Sequence, residues 1–180
     1  MKTITISETE LWDEINECFI NVKETVLHLE HSLVSISKWE EEWCMEFISD
    51  KPKTWEETID YVRCMTLDLD IDENVYKALT KANISEIQNY INKPMTATRI
   101  KNSKNRRRSA EVITSELIYY WMISLGIPFE CEKWNLNRLI TLIQVCSIKN
   151  TPSKPMKKAD IMRQNSMLND ARRKKFNTKG

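Results

Sequence analysis

The residues best suited to chemistry are few and scattered. His28 and His31 are the only histidines, and an H-x-x-H spacing on a helix would turn both imidazoles to one face, where they could bind a metal ion. The stretch that carries them alternates partly like a strand, and no second pair of ligands lies near. They are read as a structural pair. Glu30, His31 and Ser32 are sequence neighbours whose side chains point apart, and nothing supplies an oxyanion hole, so they do not make a catalytic triad. Asp68, Asp70, Asp72 and Glu73 resemble half of a calcium loop. The sharp-turn glycine is missing, and the twelfth position counted from Asp68 is Leu79 instead of a bidentate glutamate. A solvated acidic loop is the better reading. Glu40-Glu41-Glu42 and Glu56-Glu57 read as ordinary helix surface. No catalytic, cofactor-binding or metal-ligating residue is assigned, and the chain is read as a non-enzyme.

Composition narrows the classes further. The chain holds two glycines, Gly126 and Gly180, which excludes G-x-G-x-x-G, P-loop and G-x-S-x-G signatures. Five cysteines without a C-x-x-C pair read as reduced intracellular thiols. No basic start followed by an apolar run marks a secretory signal, and the longest apolar run falls short of the ~20 residues of a membrane span. The expectation is a cytosolic protein with no membrane contact.

The basic residues give a stronger signal. Residues 1–100 hold 10 Lys/Arg against 20 Asp/Glu, whereas residues 101–180 hold 17 against 6. Such an acidic front and basic back favour self-association or two different partners. Arg106, Arg107 and Arg108 lie in a polar loop, and Arg172, Arg173, Lys174 and Lys175 form a run near the C-terminus. Both could hold phosphates, but no helix-turn-helix, zinc-finger or ribonucleoprotein motif accompanies them, so nucleic-acid binding is a weak reading. Most of the six tryptophans are expected in the core. Trp121, and Trp134 with Arg138 one turn on, are the candidate protein-interaction anchors, because Trp and Arg are enriched at binding hot spots.

The elements that would position these residues are mostly helical. Thr3–Ser7 and Lys23–Glu30 alternate as strands, giving an N-terminal β-hairpin or small sheet over about residues 2–30. A helical body follows over residues 32–150. Leu33, Ile36, Trp39 or Glu40, and Trp43 share a face, and Thr54-x-x-Glu57 is a capping box. Asn83-x-x-Glu86 has the same spacing. The largest apolar windows are Ser109–Leu125, with Ile113, Leu117, Trp121 and Leu125 as its stripe, and the helix opened by Asn135. Gly126 and Pro128 stop the first, and the short connector predicts an antiparallel hairpin. The fold class is therefore mainly α with a small N-terminal β element (α+β), a helical bundle organised around a central antiparallel helical hairpin. Residues 1–150 form one globular domain, and residues 151–180 form a linker and a basic C-terminal helix.

Several strings also resemble one family. These are LEHSLVSISKWE (Leu29–Glu40), MTAT (Met95–Thr98), ITSELIYYWMI (Ile113–Ile123), PFECEKWNLNRLITLIQVCSIKN (Pro128–Asn150) and the ending LNDARRKKFNTKG. The chain resembles small morphogenesis proteins of tailed phages and prophages of Gram-positive bacteria, proteins that are similar to tail assembly chaperones. The resemblance implies a non-enzymatic factor that binds the tape-measure protein in the host cytoplasm and leaves as tail-tube subunits polymerise. It transfers no catalytic residue and no cofactor, and no role passes to Arg106–Arg108. The alternative is a structural virion protein of head, neck or tail, whose basic arm contacts a neighbouring subunit or DNA.

Overall fold

A computed structural model of the chain describes residues 1–14, 16–100, 112–151 and 158–177. It divides into two units, Met1–Ile148 and Lys149–Gly180. The first opens with four short antiparallel strands: β1 (Lys2–Ile6), β2 (Thr9–Asp13), β3 (Cys18–Val22) and β4 (Thr25–Leu29). β1 pairs with β4 and β2 with β3. One register runs through both ladders: Lys2 faces Leu29, Ile6 faces Thr25, Thr9 faces Val22 and Asp13 faces Cys18. This is a single long hairpin, interrupted on both strands at the same level. The interruption changes which positions face inward, from Ile4 and Ile6 before it to Thr9 and Leu11 after it. At the tip, the Asp13 carboxylate accepts from the backbone and side-chain amides of Asn16.

Among the described residues seven helices follow: α1 (Leu33–Trp43), α2 (Trp55–Met65), α3 (Glu73–Lys77), α4 (Lys81–Ile91), α5 (Ser115–Ser124), α6 (Leu136–Asn150) and α7 (Lys158–Phe176). A 3-10 turn, Phe129–Lys133, joins α5 to α6. Local sequence sets most of the ends. Ser32 caps α1 through a box with Ser35, and Thr54 caps α2 through the anticipated box with Glu57. α4 starts two residues before its expected cap: Thr80 is the N-cap and Asn83 its N3 partner, while Glu86 instead pairs with Lys2 at 2.5 Å. Gly126, at φ +65, ends α5 in a Schellman motif, with Ile127 N donating to Met122 O and Gly126 N to Ile123 O.

The centre of the fold is α1. Its Leu33, Ile36 and Trp39 are fully buried, and α2, α5 and the 3-10 turn are its closest helical neighbours. The expected central α5–α6 hairpin is not confirmed: the closest helical neighbour of α5 is α1. α6 is anchored at its start, where Leu136 N donates to His31 O and Asn135 bridges to Ser32. The buried face of α5 also differs from the expected stripe. Ile118 and Met122 are fully buried and Ile113, Leu117, Trp121 and Leu125 only partly, because α5 is apolar nearly all round and periodicity alone could not choose a face. Ser109, where the apolar window begins, lies outside the described residues; Thr114 is the N-cap of α5.

Among the described residues, no helix is long and apolar enough to cross a membrane.

Candidate functional site

The site is built from the ends of elements that α1 holds apart. Glu40, in the last turn of α1, is the key side chain. It is 9% exposed, and its two carboxylate oxygens accept from Phe47 N at 2.9 Å and Ser115 N at 2.7 Å. The second donor belongs to the first turn of α5, where backbone N–H groups lack helical partners and favour a negative charge. Glu40 is therefore not helix surface, as its acidic run suggests; it ties the turn after α1 to the start of α5.

That turn is fixed from its other side by aromatic packing. Phe47 lies 4.0 Å, centroid to centroid, from Tyr61 and 5.2 Å from Trp39. Lys53 caps this cluster, its Nζ 4.1 Å from the Phe47 centroid and donating to Phe47 O at 2.7 Å. Burial holds the Lys53 ammonium below its usual range, opposed by the nearby carboxylates of Glu57, Glu40 and Glu46.

Beneath it, His31 Nδ1 lies 2.5 Å from the Tyr61 hydroxyl. Burial pushes the His31 pKa down to about 4 and the Tyr61 pKa well above its usual value, so both are neutral near pH 7. The imidazole tautomer sets which of the two donates in this contact. Glu30 organises the adjoining polar layer: it accepts from the Tyr90 hydroxyl at 2.6 Å and pairs with the chain's N-terminal ammonium. Burial and the Glu30 contact raise the Tyr90 pKa.

These anchors leave a groove of about 1270 Å³ between α5 and α6. Trp121 and Leu125 form one wall, Ile140, Ile143 and Gln144 the other, and the Phe47–Asp50 turn closes an end. Asn137 ties α6 to the end of α4, its side-chain amide donating to Ile91 O and Lys93 O at 2.7 Å each. Its volume exceeds that of the usual small-molecule pocket. Among the described residues its charged lining side chains are Glu46 and Asp50, with His31 held neutral. Apolar contact and hydrogen bonding are what these residues offer.

No family model, curated protein or solved structure matches this chain. The functional reading therefore rests on the residues themselves.

The anticipated anchors separate. Trp121 lines the groove. Trp134 and Arg138 stack on each other, the guanidinium 4.0 Å from the ring centroid, but neither is among the groove's lining residues. The tryptophans are less buried than expected. Only Trp39 is fully buried, while Trp55 is 47% exposed and Trp12 is 52% exposed against its cross-strand partner Phe19. Arg172, Arg173, Lys174 and Lys175 lie exposed on α7, and Arg106, Arg107 and Arg108 fall outside the described residues.

The two histidines have different partners. His28 Nδ1 donates to Asp68 Oδ1 at 2.9 Å and its backbone N–H to Oδ2 at 2.7 Å, bonds that hold the Asp68 carboxyl below its usual range. Asp68 thus fastens its loop to β4, and among the described residues no three His, Cys, Asp or Glu side chains gather as a metal site. Sequence reading missed Glu40, Phe47 and Asn137. Glu40 did carry a signal, since it shares the inward face of α1 with Trp39 and Ile36.

Proposed function

We propose that this chain is a non-enzymatic phage assembly factor, most similar to a tail assembly chaperone, which holds an amphipathic helix of the tape-measure protein in the groove between α5 and α6. The groove is the observation that carries this reading: it is larger than an ordinary small-molecule pocket, and Trp121, Leu125, Ile140 and Ile143 give it apolar walls interleaved with polar side chains. The family strings supply the identity of the client. Their segment Ile113–Ile123 contributes Trp121 to one wall, and Pro128–Asn150 contributes Ile140 and Ile143 to the other. On this reading the protein acts in the host cytoplasm and needs no cofactor.

Co-expression with the tape-measure protein tests it. The expected result is a more soluble tape measure that co-purifies with this chain, and loss of that complex on Trp121→Ala. An unchanged solubility with no co-purification overturns the reading. The alternative, a structural virion protein, is favoured by the exposed cations of α7, which suit a neighbouring subunit or DNA. Mass spectrometry of purified virions separates the two: a chaperone is absent, a structural protein present in many copies.

A further inference from the structure

We infer that the β2–β3 end of the hairpin is a second docking surface, which takes an extended lysine- or arginine-rich segment of another polypeptide beside β2. The inference is independent of the groove and of the tape measure. Strand alternation puts two cross-strand pairs on the exposed face, Glu10 with Asn21 and Trp12 with Phe19. Trp12 is 52% and Phe19 68% exposed, their rings edge to face with centroids 4.9 Å apart. Such a pair helps to steady a two-stranded ribbon, which is marginal by itself. Stability does not account for the charge around it. Glu8–Glu24 holds six carboxylates (Glu8, Glu10, Asp13, Glu14, Glu17 and Glu24) against Lys23, and its one undescribed residue, Ile15, is uncharged. Helix α3, which packs on β3, brings Asp72, Glu73 and Lys77 and leaves the sign unchanged. Like charges this dense weaken a hairpin and suit it to a cationic partner.

Charge and backbone choose the occupant. Clustered carboxylates repel the phosphates of nucleic acid and of anionic lipid, whereas the faces of Trp12 and Phe19 attract ammonium and guanidinium groups. Among the described strands β2 and β3 pair only with each other, so each has one edge without a strand partner. Helix α3 lies against β3, which leaves β2 as the more open edge. An extended segment laid along β2 pairs its backbone with that edge, and its alternate side chains fall beside Glu10 and Trp12. A lysine or arginine at those positions meets a carboxylate and a ring face together. The sequence selected is therefore a run of alternating basic residues without proline, which lacks the N–H that edge pairing needs.

The test uses the full chain and a labelled peptide of about nine residues that alternates lysine with threonine, followed by fluorescence anisotropy. Binding is expected with a dissociation constant on the order of 100 μM, weakened by added salt. Trp12→Thr keeps a strand-forming residue but removes the ring, and raises that constant at least ~10-fold. Glu10→Lys reverses an exposed charge and raises it ~2–5-fold at low salt. A thermal melt of Glu10→Lys matching the wild type is expected, so this variant decides the matter should Trp12→Thr fail to fold. Hydrogen exchange in the complex slows at the amides of Thr9–Asp13. No binding below about 1 mM overturns the inference, as does binding indifferent to both variants or protection confined to residues outside the hairpin. Two other occupants give distinct results that also overturn it. A membrane site shows as capture by phosphatidylcholine vesicles, lost in Trp12→Thr, without peptide binding. Occupation by a second copy shows as a concentration-dependent dimer that Glu10→Lys dissolves, again without peptide binding. Failure of tape-measure co-purification leaves all of these results untouched, so the two readings fail separately.

Discussion

Helices α1 and α7 show how little a helix's length says about what holds it. The shorter, α1, has a capping box at Ser32, a left-handed C-cap at Cys44 and a fully buried face of Leu33, Ile36 and Trp39. The longer, α7, has Met162, Met167, Leu168 and Phe176 all at least half exposed. Both sequences are helical in pattern, yet only α1 has neighbours that take its apolar face out of water. The first unit is therefore stabilised by tertiary burial, whereas the described apolar side chains of α7 stay exposed.

The sharpest way to break this contrast is to truncate each helix at its largest contact. Trp39→Ala removes a ring stacked on Trp43 and an indole N–H donating to Glu57 O, and is expected to cost ~3–5 kcal/mol in denaturant unfolding. Leu168→Ala should change the unfolding of a dilute, monomeric sample by no more than ~0.5 kcal/mol. Equal effects would end the distinction between the two helices.

Next in size is the response to acid. His31 is held neutral down to about pH 4 by burial, whereas in the unfolded chain it titrates near its ordinary 6.5. Between those values the unfolded state binds the extra proton, so stability is full above pH 6.5 and falls as pH drops toward 4. The expected loss is ~3 kcal/mol, taken up by the first unit. His31→Gln should flatten the slope in that window; a slope that survives would place its origin elsewhere.

Glu40→Gln comes third, at ~1–3 kcal/mol. Glutamine keeps one acceptor oxygen but turns its amide toward the other backbone N–H, leaving Phe47 N or Ser115 N unsatisfied in a buried place. The same variant should loosen the groove, read as faster hydrogen exchange at the Phe47 turn and the first turn of α5. Smallest is Thr54→Ala, which removes the cap of α2 and should cost ~1 kcal/mol in the same unfolding measurement.

Much of the first unit was legible because its signals are local. Thr54 and Glu57 lie within one helical turn, and Gly126 followed by Pro128 marks the stop of α5 wherever that helix packs. The site was legible only in part. Trp121 was expected at an interface and lines the groove, but the bond from Ser115 to Glu40 joins residues 75 positions apart. No periodicity reports such a pairing. Trp134 and Arg138, which carry the composition of a hot spot, stack on each other away from the groove's lining residues.

By itself the sequence determined the capped start of α2, the glycine stop of α5 and how charge divides along the chain, since each depends on neighbours in sequence. Tertiary structure decided that α1 is the hub, which face of the all-apolar α5 goes inward, and that α5 and α6 stand apart around a groove. Those outcomes follow from competition among several apolar surfaces for a limited interior, and that competition is settled only when all the elements pack at once.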